Sequence, residues 1–269
     1  MTRASGARAS ILAALGLAML LAGCATTRRE WTPTANLPPL PLDWRSIPNP
    51  VPHYLPPAPI GNPPFYDVNG KRYYVLASAD GYNKIGVASW YGANSEGRYT
   101  ADGDRFNMYA MTAASKVLPL PTFVRVTDLS NGRSVIVEVN DRGPFVAHRL
   151  IDLSYLAAAK LGMLATGTAL VEVRAITPNS PVNLASALQA RSPLLYAQVG
   201  AFAVPRDAER VFNRLRAAGM RNVIILSPAV SGGRLYRVRV GPIQDVPQFD
   251  RIAARLTALG YPGAWLVKP

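Results

Sequence analysis

Apolar and polar positions divide the chain into five regimes. The first is an unbroken apolar run, Ile11 to Ala22, preceded by Arg3 and Arg8. A bilayer span needs about 20 residues, so the run is too short and reads as a signal peptide over 1–23. Residues 32–64 then hold 12 of the 24 prolines. Such a stretch stays extended and builds no core, so 24–64 is expected to be a semi-rigid tether in which Trp31 and Trp44 stand as isolated aromatics. From Phe65 the pattern changes. FYDVNGKRYYVL predicts a hairpin turning at Asn69-Gly70, an approach segment over 65–84. Within 85–176 short runs recur at Phe123 to Thr127, Ser134 to Val139 and Ala169 to Ile176, with Asn131-Gly132 turning between the first two. One helix is predicted there, capped by Ser154, filled by Leu156 to Leu161 and ended by Gly162. Many short strands, tight turns and one helix predict a small, mainly β barrel.

After a polar, small-residue linker (177–192) the pattern becomes regular over 193–269. Leu194 to Phe202 reads as a strand, and Asp207 to Ala218 as a helix with Val211, Phe212 and Leu215 on one face. Val223 to Leu226 and Leu235 to Val240 are strands around Gly232-Gly233. Pro247 to Leu259 is a helix with Phe249, Ile252, Leu256 and Leu259 inward, and Ala264 to Val267 closes the order β-α-β-β-α-β. That order is the split arrangement of a ferredoxin-like α+β fold.

Composition narrows the chemistry. The formal net charge is +13, which favours anionic partners: nucleic acid, anionic lipid or an acidic polymer. From Arg191 onward there are 12 Lys+Arg and 4 Asp+Glu, so +8 of the +13 lies in the tail. The only cysteine is Cys24, and the only histidines are His53 and His148. That excludes a disulfide framework, zinc spacing and a Cys–His nucleophile system. No metal and no cofactor are expected.

Val135 to Ser154 is the stretch around which the chemistry gathers. Its β-branched run breaks off into Asn140-Asp141-Arg142-Gly143-Pro144-Phe145, which puts Asp141 on a loop held by a strand, with Arg142 beside it. Asp141 and Arg142 either act on a substrate or tie the turn together.

Three resemblances follow. Leu21-Ala22-Gly23-Cys24 resembles the lipobox of bacterial lipoproteins, which implies a mature chain lipidated at Cys24; Ala25, in place of Asp, implies the outer membrane. GVASWYG, TADGDRF, TAASKVLPL, NDRGPF and IDLS, in this order, resemble the RlpA (rare lipoprotein A) family. The resemblance implies a six-stranded double-psi β-barrel and lytic transglycosylase activity on peptidoglycan stripped of its peptides. It carries the catalytic aspartate of DRGPF onto Asp141 and the acidic residue of the TANGE-like motif onto Asp104. This chain departs from the family with Asp at 104 for Glu, Ser115 where TAAH has His, and Asp102 for Asn. Trp90, Ser115, Arg142 and Asp152 are candidate substrate contacts. Trp90 and Tyr91 are strand neighbours, so at most one offers its ring to a sugar. Asp152 either favours the helix N-terminus or acts, as a functional aspartate does in expansins.

QVGAF (198–202) and YRVRVGP (236–242) resemble the signatures of SPOR domains, which bind denuded glycan at division sites. Gln198, Phe202, Tyr236 and Arg239 are the implied glycan contacts, with sheet core as their other reading. The implied partners are peptidoglycan, the membrane through Cys24 and divisome proteins, at the septum. Nucleic acid competes for a basic ferredoxin-like sheet, but the export signal argues against it. The leading expectation is a transglycosylase giving 1,6-anhydro-N-acetylmuramic acid ends. The alternative is a non-catalytic wall-binding lipoprotein of the same build.

Overall fold

The computed structural model describes residues 38–177, 194–230 and 233–269. The expected signal peptide, Cys24, Trp31, most of the expected linker and Gly232 lie outside the described residues.

A two-stranded ribbon comes first, β1 (Phe65–Val68) and β2 (Lys71–Tyr74). Its turn is Asn69-Gly70, both at positive φ (51° and 73°), the geometry that twists a two-residue hairpin correctly. The barrel is built from β3 (Asn83–Tyr91), β4 (Thr112–Ser115), β5 (Thr122–Asp128), β6 (Ser134–Asp141), β7 (Ile151–Ser154) and β8 (Ala169–Ala175). It closes in the order β3-β7-β4-β6-β5-β8. The β3–β7 and β4–β6 pairs are parallel and the others antiparallel. Alternation along β5 and β6 turns Val124, Val126, Val135, Val137 and Val139 inward, where Ala113, Leu153 and the buried face of α1 (Tyr155–Leu161) meet them. Asp141 is thus the last residue of β6 and not a loop residue.

Helix α1 is short, and its ends are set as the sequence requires. Ser154 Oγ accepts from Ala157 N (3.3 Å) and donates to Ala110 O (2.6 Å), and Gly162 takes the left-handed cap. Replacing a bonded N-cap by alanine costs about 1–2 kcal/mol. Ser154→Ala is therefore expected to lower the free energy of unfolding by that amount, read in chemical unfolding as a lower denaturant midpoint at unchanged m-value.

The expected tether is different in its described part. Residues 38–64 lie along the barrel as a strap. Leu40, Trp44, Ile47 and Ala58 pack on the barrel core. Tyr155 and Tyr109 hydroxyls donate to Pro38 O (3.1 Å) and Pro39 O (3.2 Å), and Lys160 Nζ donates to Ile47 O. Ala58 N donates to Leu120 O (2.9 Å), and Asn62 brackets Leu120 on both backbone groups (2.7 and 2.8 Å). Prolines lack N–H donors but keep their carbonyls, so a proline-rich strand can bind by accepting from its neighbour.

The tail holds β9 (Leu195–Phe202), α2 (Pro205–Ala217), β10 (Val223–Leu226), a two-residue ladder β11 (Ala229–Val230) with β12 (Gly233–Arg234), β13 (Tyr236–Ile243), α3 (Val246–Ala258) and β14 (Trp265–Val267). The four-stranded sheet runs β10-β13-β9-β14, antiparallel throughout. Its apolar cluster is continuous with Val87, Leu129 and Leu170 of the barrel. Two ion pairs cross from barrel to tail: Arg149 to Asp250, bidentate at 2.8 and 2.9 Å, and Lys268 to Glu172 at 2.7 Å.

Candidate active site

Strand register decides what the barrel displays on its outer face. Ser89 on β3 pairs with Asp152 on β7, Asp152 with Ala114 on β4, and Ala114 with Asp141 on β6. These four residues form one row on one face. Two aspartates flank a single methyl group, with their backbones about 10 Å apart, twice the interstrand spacing. Ala114 keeps the floor between them low. A second row places Tyr91 opposite Ser154, and Thr112 opposite Glu138.

Asp141 is held from one side. Its Oδ1 accepts from Ala101 N (2.9 Å) and Arg142 N (2.7 Å). Burial raises its pKa above the usual carboxylate range, against the pull of those two N–H groups, and the charge of Asp102 adds to the rise. Asp152 is raised too, by burial first; Ser89 Oγ donates to its Oδ1, and Lys116 and Arg149 pull it back. Both carboxyls are shifted in the direction that acid chemistry uses.

The acidic loop supplies the rest. Asp102 accepts from Thr100 Oγ1 (2.5 Å) and Asp104 N (3.3 Å), and its own N–H reaches Asn140 O (3.3 Å). Asp102 is therefore the carboxylate coupled to Asp141. Asp104 is exposed on the same loop, and its charge is felt at Glu138; no hydrogen bond brings it to Asp141.

Arg142 and Ser115 are committed to the fold and not to a substrate. The Arg142 guanidinium donates to Gly61 O (3.0 and 2.8 Å), Asn62 Oδ1 (3.1 Å), Ser115 O (3.2 Å) and Leu118 O (2.5 Å). Its fork is filled by strap and loop acceptors, which leaves it no donor for a lactyl carboxylate. Ser115 is 2% exposed, and its Oγ accepts from Val117 N and Leu118 N, both 3.3 Å. Trp90 pairs with Leu153 on the inner side of β3 and β7 and meets Tyr155 at 5.5 Å, so it is a packing residue.

Tyr91, its neighbour, takes the outer face. Its ring stacks on Phe106 at 4.3 Å, and its buried hydroxyl faces the equally buried Thr112 Oγ1. Burial and the charges of Asp141 and Asp152 drive its pKa far up. A buried hydroxyl in the field of both aspartates is a functional candidate that strand alternation signalled without choosing between Trp90 and Tyr91.

In the tail, Gln198 and Arg239 are register partners and are bonded to each other, Arg239 Nε to Gln198 Oε1 at 3.1 Å; Arg239 also donates to Lys268 O (3.0 Å). Phe202 and Tyr236 pair with each other and pack toward the domain core. Trp265 pairs with Gln198 and is 48% exposed. It is a flat, exposed surface beside the polar pair.

The barrel and its carboxylate row define a double-psi lytic transglycosylase domain, joined here to a SPOR module: residues 83–173 match the lytic transglycolase family and residues 193–268 the SPOR domain. An endolytic peptidoglycan transglycosylase RlpA of Pseudomonas aeruginosa (strain UCBPP-PA14) is 38% identical, covering 76% of this chain and 76% of that protein. The protein of the same name from Vibrio cholerae is 34% identical, covering 93% of this chain and 94% of that protein. The chain belongs to the RlpA family. The crystal structure of the RlpA SPOR domain from Pseudomonas aeruginosa is 35% identical and covers 28% of this chain and 99% of that one, with a TM-score of 0.27.

Proposed function

We propose that this protein cleaves peptide-stripped peptidoglycan strands by lytic transglycosylation, with Asp141 as the acid and base. The observation that carries this reading is the raised, half-satisfied Asp141 carboxyl in register with Asp152 across Ala114. One Asp141 oxygen is fixed by two backbone N–H groups, which leaves the other for a substrate. Protonated, it gives its proton to the glycosidic oxygen as the bond to C1 of N-acetylmuramic acid breaks. Ionised, it takes the proton of the C6 hydroxyl as that oxygen closes onto C1. The product is a 1,6-anhydro end, and no water is consumed. Asp152, ionised with the help of Ser89, Lys116 and Arg149, stabilises the cationic ring that forms between the two steps. Asp104 assists from the exposed loop, where a strand can reach it.

The SPOR module holds the glycan on the surface beside the Gln198–Arg239 pair, which is itself buried (7% and 3% exposed) and shapes that face from beneath, with Trp265 offering its ring to a sugar. Cys24 anchors the chain in the outer membrane, and the glycan preference concentrates it at the septum among divisome proteins. The test incubates the protein with amidase-stripped strands and looks for anhydro ends by mass spectrometry. Glycan binding without anhydro ends would leave a wall-binding lipoprotein. Asp104→Asn is expected to lower the rate by about 10- to 100-fold, less than loss of a principal acid. A rate equal to that of wild type in the same assay would remove Asp104 from the mechanism.

A further inference from the structure

The ribbon β1–β2, Phe145 and two lysines form a surface that the reaction above leaves unused. Tyr66 and Tyr73 are register partners whose rings stack with centroids 5.5 Å apart. Phe145 closes on both, at 6.3 and 5.6 Å, and is 40% exposed. It lies four residues beyond Asp141, so this aromatic patch borders the end of the carboxylate row.

The cations are placed beside it. Lys71 Nζ stands 5.4 Å from the centre of the Tyr73 ring. Lys116 lies two residues beyond Ala114. Its carbonyl accepts from Tyr66 Oη (2.9 Å), and its Nζ donates to Arg149 O. Among the described residues neither lysine is ion-paired with a carboxylate. Burial, and then the charge of Lys71, hold Lys116 down to about 8, while Asp152 pulls the other way. Two ammonium groups kept together, one of them half-buried, are unfavourable unless an anion joins them.

We infer that this surface is the subsite for one muramic acid residue, with the aromatic patch taking the sugar's apolar face and Lys71 and Lys116 binding its lactyl carboxylate. The identity of the sugar rests on the transglycosylase reading. The lactyl group is where the peptide attaches, through an amide that is neutral and bulky. A site built on two cations therefore accepts strands whose peptides have been removed and rejects the others, independently of the SPOR module.

The test uses the full chain in detergent and two substrates: peptide-free strands, and the same strands with their lactyl carboxylates converted to methylamides. Wild type is expected to show a KM about tenfold higher on the methylamide, the loss of one charge-assisted contact. Lys71→Gln and Lys116→Gln should raise KM on the free strands about as much and become indifferent to amidation, and Lys116→Arg should restore the discrimination. A second measurement needs no turnover. Carbodiimide coupling of free strands to Asp141→Asn should put glycan adducts on Lys71 or Lys116, mapped by mass spectrometry. Equal use of both strands by wild type, or adducts found only at other lysines or at none, would overturn the inference. If wild type yields no anhydro ends at all, the transglycosylase reading fails and the coupling pattern alone decides the subsite.

Discussion

Asp141→Asn is expected to fold, to bind glycan strands and to form anhydro ends at less than about one-thousandth of the wild-type rate. The amide oxygen of asparagine can accept from Ala101 N and Arg142 N as Asp141 Oδ1 does, so the loop keeps its shape. What is lost is a proton that can move. The same variant carries a stability signature with a definite sign. Burial raises the folded pKa of Asp141, so the folded protein holds this proton to higher pH than the unfolded chain. The contribution is complete below the unfolded pKa and is lost as pH rises through the folded one. At neutral pH the variant should melt at or above the wild-type temperature, and the difference should close as the solution is made acidic. A variant that melts well below wild type at pH 7 would show that the charge of Asp141 holds the fold, and would weaken its assignment to chemistry.

Arg142→Ala is expected to have the largest effect on stability, a loss of about 3 kcal/mol or more. The five guanidinium bonds go to Gly61, Asn62, Ser115 and Leu118. Removing the fork leaves backbone carbonyls of the strap and of the 115–118 turn without partners, and it cuts the bridge between that turn and the strap. Gly61, at φ +86°, is already seated so closely that a Cβ there would stand 2.4 Å from Ala101 O. Lysine cannot replace the fork, because one compact ammonium cannot serve acceptors spread around a plane. Arg142→Lys should therefore recover little. Differential scanning calorimetry at one pH checks both variants; a fall in Tm of only a degree or two for Arg142→Ala would refute the account.

The parts of the fold legible in the sequence are those whose signals are local. The β-branched run of β6, the Asn-Gly turns, the Ser154 cap and the β-α-β-β-α-β order of the tail each depend on residues adjacent along the chain. Strands β4 and β7 were not legible as strands. Thr112–Ser115 and Ile151–Ser154 are four residues each, TAAS and IDLS, too short and too small-sided to show a period. Yet they lie side by side in the barrel, and their register brings Asp152 opposite Asp141 across Ala114. The motif pointed to Asp141; the partner across the row depends on pairing that no local pattern reveals. The role of Arg142 was hidden for the same reason, since its main acceptors lie 80 and 81 residues earlier in the chain. The proline-rich segment shows a different limit. Its composition says that it is extended, and an extended chain looks the same in sequence whether it is free or laid along a partner.

The strap also sets a distance. Were residues 24–64 all free, an anchor at Cys24 would leave the barrel a leash of 40 residues, up to about 140 Å at full extension. With the chain bound to the barrel from Pro38 onward, the same anchor would leave 14 residues between them, at most about 50 Å. An enzyme so anchored would work a thin shell of wall next to its membrane, and strands deeper than that shell would reach it only by growing or turning over into range.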